Sequence, residues 1–88
     1  MRKKAIVTGA SGYIGSRLTH ALVAEGWEVY VILRPNSSIS LLEDITKHLS
    51  IFRFDGEFDN LRKFFQQIQP IEIVFHLAAY FVADHKWQ

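Results

Sequence analysis

Apolar residues along this chain form short continuous runs that alternate with stretches of helical spacing. Ala5 to Thr8 is a short apolar run between charge and glycine, and it reads as a first strand. Ile14, Leu18, Ala21 and Leu22 then recur at i, i+4, i+7 and i+8, which predicts a helix with these residues facing the core. Ser16, Thr19 and His20 fall on the opposite face, joined by Val23. Gly26 stands where a helix C-cap favours a residue free to take positive φ. Val29 to Leu33 is continuous and rich in β-branched residues, as expected of a strand buried on both faces. Asn36-Ser37-Ser38 is a turn with N-cap chemistry, and Leu41, Leu42 and Ile45 predict a short second helix. Ile51 to Phe54 reads as a third strand. Leu61, Phe64, Phe65 and Ile68 share one stripe of a further helix, which Pro70 ends. Ile73 to Leu77 is the fourth strand, and Ala78 to Gln88 reads as the start of another helix.

Strands and helices in alternation imply an α/β fold, with right-handed crossovers and a parallel sheet covered on both faces by helices. The expected strand order is 3-2-1-4. On that order the fourth strand is an uncovered edge, open to pairing with a second copy.

Composition narrows the class without naming it. The 88 residues suffice for one small domain; 49% are apolar, 22% are charged and only two are proline, which argues against disorder. A net charge of +1 gives no electrostatic reason to expect nucleic acid or an anionic membrane as partner. The absence of cysteine excludes disulfides and thiol chemistry and fits a cytoplasmic setting, and the four histidines show no metal-ligand spacing. Behind the basic start, Ala5-Ile6-Val7 is broken by Thr8, Gly9, Ser11 and Gly12, too early for a secretory h-region. The longest apolar run, Ile71 to Ala83, contains Glu72 and His76 and is too short to span a bilayer. The chain reads as soluble.

The informative segment is Thr8-Gly9-Ala10-Ser11-Gly12-Tyr13-Ile14-Gly15, between the first strand and the first helix. Gly9 permits a tight turn out of the strand. Gly12 lets the backbone approach a pyrophosphate that a Cβ would hold off, and Gly15 lets the helix pack closely. The helix N-terminus then offers unpaired N–H groups and a positive dipole end to phosphate. The spacing is G-x-x-G-x-x-G, one residue longer at the first gap than the dinucleotide fingerprint G-x-G-x-x-G. A glycine-rich turn without a ligand is the competing reading. A P-loop is excluded, because no Gly-Lys-Ser/Thr ends the segment.

These residues resemble the extended short-chain dehydrogenase/reductases, the NAD-dependent epimerase/dehydratase family. The likeness runs through Val7 to Leu18, Glu25-Gly26-Trp27-Glu28-Val29, Phe54-Asp55-Gly56 and Val74-Phe75-His76-Leu77-Ala78-Ala79, in the family's order. It implies a Rossmann-type fold whose cofactor loop comprises Gly9, Ser11, Gly12, Tyr13, Ile14 and Gly15. In NAD-preferring members an acidic residue ends the second strand and accepts hydrogen bonds from the adenosine ribose. Here that position is Leu33, and Arg34 follows, 19 residues after Gly15, where NADP-dependent reductases of the family carry arginine. A guanidinium there can pair with the 2′-phosphate, with Ser37 and Ser38 as further donors, so NADP(H) is favoured over NAD(H). The bland alternative is a surface arginine before Pro35. Asp55, with Gly56 beside it, matches the aspartate that meets the adenine amino group; the alternative is a plain Asp-Gly turn, with a hairpin disfavoured by the helical pattern that follows. Leu77, Ala78 and Ala79 match the segment passing under the cofactor ribose, although small residues also simply start a packed helix. His76, within the strand, reads as a packing histidine rather than a catalyst.

The family's reaction uses a Tyr-x-x-x-Lys pair with a Ser or Thr. Tyr13, Tyr30 and Tyr80 are followed four positions on by Arg17, Arg34 and Asp84, so no catalytic residue is assigned. Residues 1–88 are thus expected to be the N-terminal portion of an NAD(P)-binding Rossmann domain, without its catalytic and substrate-binding parts, that binds nucleotide without turnover. The parent activity would be an oxidoreductase, epimerase or dehydratase reaction on a nucleotide sugar or small carbonyl compound. A non-catalytic NAD(P)-sensing or interaction module is the alternative.

Overall fold

Residues 2–77 are described by a computed structural model. Four strands, β1 (Lys4–Thr8), β2 (Glu28–Leu33), β3 (Leu49–Arg53) and β4 (Ile73–His76), form one parallel sheet in the order 3-2-1-4. Helix α1 (Tyr13–Ala24) connects β1 to β2, a 3-10 helix (Ser40–His48) precedes β3, and α2 (Phe58–Ile68) leads to β4. This is the α/β architecture expected, with strand boundaries shifted by one or two residues. The expected terminal helix lies outside the described residues.

The apolar runs become the sheet because alternate residues reach opposite faces. Ala5, Val7, Val29, Val31 and Leu33 bury one face together with Leu22 of α1 and Leu42 of the 3-10 helix. Ile6 and Tyr30 point the other way and meet Ile68 of α2, with Phe64 and Phe65 packed alongside. Burial pushes the Tyr30 phenol up to about 12, and its hydrogen bond to the Glu28 carboxylate acts in the same direction. Among the described residues β4 pairs only with β1, and Val74 on it is exposed.

Helix α1 buries a different face from the one its apolar spacing predicts. Gly15, Ser16, Thr19 and Leu22 are inside, whereas Ala21 is exposed and Ile14 is 71% exposed. Small residues bury here because the helix lies close against the chain leaving β1. The two hydroxyls cost little, since each is satisfied on its own helix: Thr19 Oγ1 donates to the Gly15 carbonyl at 2.7 Å and Ser16 Oγ to that of Tyr13 at 2.9 Å. Leu18 and Val23 are half-buried against the same core.

The C-terminal ends of α1 and α2 follow the expected chemistry. Gly26 takes φ +89, and the pair of bonds Gly26 N–H to the Val23 carbonyl and Trp27 N–H to that of Leu22 closes α1 in a Schellman arrangement. The predicted second helix is a 3-10 helix rather than an α-helix. Asp44, Ile45 and Thr46 in it are weak α-formers. Ser38 Oγ accepts from the Ser40 N–H at 3.2 Å in the turn before it, but the N-cap position is taken by Ile39 and no side chain caps the helix, unlike the N-cap expected from Asn36-Ser37-Ser38. His20 of α1 donates to the Ser16 carbonyl and to Asp44, tying this helix to α1. Helix α2 ends at Ile68, two residues before Pro70.

Candidate functional site

At the carboxyl ends of the four strands the chain leaves the sheet in turns, and these turns enclose two adjoining clefts. In a parallel sheet this is where ligands bind, because the crossovers diverge above the strand ends. The first cleft, of about 570 Å³, is lined by Gly9 and Ser11 after β1, Arg34 and Ser37 after β2, and Asp55 and Gly56 after β3. Its apolar wall includes Ile32, Phe54, Leu61 and Phe65. The second, about 580 Å³, lies over Gly12, Tyr13, Ile14 and Gly15, with Arg34, His76 and Leu77 on its border. Both volumes suit a small-molecule ligand. The fold thus brings together the predicted set Gly9 to Gly15, Arg34, Asp55, Gly56 and Leu77. Ala78 and Ala79 lie outside the described residues.

The three loop glycines differ in what requires them. Gly9 has φ +71, a left-handed conformation that other residues rarely adopt. A Cβ on Gly15 would collide with the backbone of Gly9 and come within 2.9 Å of Ala10 Cα, so glycine there serves packing between helix and loop. Gly12 is required by neither. Its φ of −80 is ordinary, and a Cβ would have only the Gly9 carbonyl, at 3.7 Å, within reach. The space in front of Gly12 is open, which is the property needed by a group that must touch the backbone there.

Helix α1 starts beside that space. No side chain caps it and no acidic residue occupies its first turn. The first-turn N–H groups have no partners within the helix, while the Gly12 N–H goes to the Gly9 carbonyl at 3.3 Å and that of Ser16 to Gly12 at 2.8 Å. An uncapped N-terminus with its positive dipole end toward a cleft suits an anion.

A family model described as the NAD dependent epimerase/dehydratase family matches residues 5–88. The chain belongs to that family. Among curated relatives of the family, sterol demethylase protein B of Methylococcus capsulatus is 31% identical over 75 residues, covering 85% of this chain and 22% of that protein. Pinoresinol reductase 1 of Arabidopsis thaliana is 30% identical over 78 residues, covering 83% of the chain and 24% of the reductase. Of solved structures, UDP-glucose 4-epimerase of Thermotoga maritima with UDP-glucose superposes with a TM-score of 0.70 at 28% identity, over 85% of this chain and 24% of the epimerase. The Bordetella bronchiseptica enzyme WbmG in complex with NAD shares the fold, with a TM-score of 0.71 at 24% identity over 89% of this chain and 25% of its own. This member of the family therefore spans about a quarter of the length of the curated relatives it matches.

Two further residues, Thr8 and His76, line these clefts and a third, Arg53, supports the turn beside them; all three were missed or misread in the sequence. Thr8 and His76 are register partners at the ends of β1 and β4. Thr8 Oγ1 lies 2.8 Å from His76 Nδ1 and accepts from the Leu77 N–H at 3.1 Å, which fixes where the chain turns out of β4. His76 is exposed at the last position of its strand and borders both clefts, so it is not the packing histidine expected. Arg53, at the end of β3, holds the turn that follows β2 through its side chain. Their partners become visible only when the strands are set in register. Asp55 does form a turn, accepting from the Glu57 N–H at 3.0 Å, and it borders the cleft as well; a helix and not a hairpin follows. Among the described residues no cluster of three or more His, Cys, Asp or Glu could hold a metal ion, and no helix is long and apolar enough to cross a membrane.

Proposed function

We propose that this chain is the cofactor-binding portion of an NADP(H)-dependent oxidoreductase, epimerase or dehydratase that acts on a nucleotide sugar or a small carbonyl compound. The observation that carries it is the uncapped start of α1 opening through Gly12 onto a cleft that Arg34 also borders. Backbone N–H groups of Tyr13, Ile14 and Gly15 hold the pyrophosphate, which approaches over the open Gly12, flanked by Ser11 and the exposed Tyr13 and Ile14 side chains. Arg34 and Ser37 read the 2′-phosphate, and the buried Leu33 leaves no acceptor for a bare ribose at that point. Asp55 and Gly56 face the adenine edge, and Leu77 begins the segment that the family resemblance assigns to the cofactor ribose. When bound, the cofactor supplies hydride transfer; this segment binds and orients it. The substrate class follows the relatives, which include a CDP-abequose synthase of Salmonella muenchen and the pinoresinol reductase. That the chain covers about a quarter of each supports reading residues 1–88 as one portion of such a domain.

Titration calorimetry with NADPH and NADH tests this. NADPH is expected to bind at least about tenfold more tightly. Gly12→Val should abolish binding of both, and Arg34→Asp should weaken NADPH while sparing NADH. Equal losses for the two cofactors in Arg34→Asp would refute the role given to Arg34.

A further inference from the structure

Beyond the end of β2 the chain makes a tight turn, Arg34 to Ser37, closed by the Ser37 N–H on the Arg34 carbonyl at 3.1 Å. Pro35 contributes a fixed φ and no donor, and it holds the preceding Arg34 toward extended backbone. The turn therefore exposes carbonyls with few N–H groups of its own to satisfy them. Arg53 supplies the donor. Its Nη1 lies 3.0 Å from the Arg34 carbonyl oxygen, 3.1 Å from that of Pro35 and 3.0 Å from that of Ser37. Two protons serve three acceptors, so the bonds are shared, and the guanidinium charge offsets the mutual repulsion of three converging carbonyl dipoles. The sheet delivers Arg53 to this place. Leu33 and Arg53 are register partners, and the Phe54 N–H donates to the Leu33 carbonyl at 2.8 Å immediately below the turn.

We propose that Arg53 is a positioning residue for cofactor selection: it fixes the turn that presents Arg34 and Ser37 to the cleft, and so sets the preference for NADPH over NADH. This rests on the reading of Arg34 given above. Arg53 is exposed, so removing its side chain empties no cavity and strands no buried polar group. The turn loosens while the sheet stays. The pyrophosphate contacts, made by the α1 N-terminus on the other side of the cleft, do not depend on it.

The test is calorimetric titration of the 88-residue chain with NADPH and NADH, for wild type, Arg53→Ala, Arg53→Lys, Arg34→Ala and the double variant Arg34→Ala/Arg53→Ala. Arg53→Ala is expected to lower NADPH affinity about tenfold and NADH affinity less than about twofold. Lysine, which keeps the charge, is expected to recover part of the loss, and it carries the same comparison if the alanine variant fails to fold. In the Arg34→Ala background, removing Arg53 should change NADPH affinity less than about twofold, because the turn then has no guanidinium to position. Equal losses for both cofactors in Arg53→Ala, or no loss, would overturn the inference. Additive losses in the double variant would also overturn it, since Arg53 would then act apart from Arg34. If wild type preferred NADPH and Arg34→Ala lost that preference, failure of Arg53→Ala would count against this inference alone. A wild type without preference would remove the cofactor reading and this inference with it.

Discussion

The two faces of the sheet are packed in different ways. On one face, Val7, Val31 and Leu42 have no exposed surface, and the contacts are aliphatic, between β-branched strand residues and Leu22 and Leu42. On the other face the core consists of Ile6, Tyr30 and Ile68, extended by rings that remain half-buried. Phe64 of α2 stacks on Phe52 with centroids 4.5 Å apart and meets the edge of Tyr30 at 6.0 Å. The closely packed face is the one on which α1 rests, and the start of α1 is the end proposed to bind phosphate. The aromatic face shares Leu61 and Phe65 with the cleft wall. A group that must meet a diphosphate through backbone N–H groups needs fixed geometry, and dense aliphatic packing provides it. An apolar wall for a planar ring needs area more than position.

The sharpest way to break the first region is at Gly15. Gly15→Val would drive a branched side chain into the Gly9–Ala10 backbone, and it should cost about 3 kcal/mol or more, read as loss of the cooperative melting transition. Leu42→Ala comes next. Its side chain is wholly buried, so truncation should cost about 2–5 kcal/mol by denaturant titration. Phe64→Ala on the aromatic face removes a larger ring from a half-buried place and should cost about 1–2 kcal/mol. If Phe64→Ala proved the more damaging of these two, the contrast between the faces would be wrong.

The smallest effect concerns the His20–Asp44 contact between α1 and the 3-10 helix. The carbonyl of Ser16, first, and the Asp44 carboxylate hold the imidazole pKa above its ordinary 6.5. A pKa raised in the folded state contributes stability that is complete below the ordinary value and is lost as pH rises through the raised one. The melting temperature of wild type relative to His20→Ala should therefore fall as pH is raised above about 6.5. Asp44 is largely exposed and His20 only half-buried, so solvent screens the contact and the change should be about 1–2 °C. An unchanged difference between pH 5.5 and 8.5 would show that the contact adds nothing.

Where the sequence pattern misled, as on α1, the cause was physical. Apolar spacing favoured Ile14 and Ala21, but close approach to the Gly9–Ala10 turn favours small residues, and a hydroxyl bonded to its own helix can be buried like a methyl group. Gly9, Gly12, Gly15 and Gly26 were legible because each is tied to a local backbone requirement or an open approach. Arg34, Asp55 and Gly56 were legible as strand-end residues. Thr8, His76 and Arg53 were not, since their partners lie 68, 68 and 16 to 19 positions away along the chain.

Local chemistry along the chain determined the alternation of strands and helices and the glycine turn that opens α1, and the alternation in turn implied a parallel sheet. Backbone conformation, capping and periodicity act over a few residues, and so they are written in sequence. Only the tertiary structure decided which face of α1 is buried, which partner Thr8 and His76 find at the strand ends, and which arginine grips the turn after β2. Those outcomes depend on how closely two elements approach and on strand register, which no local pattern contains.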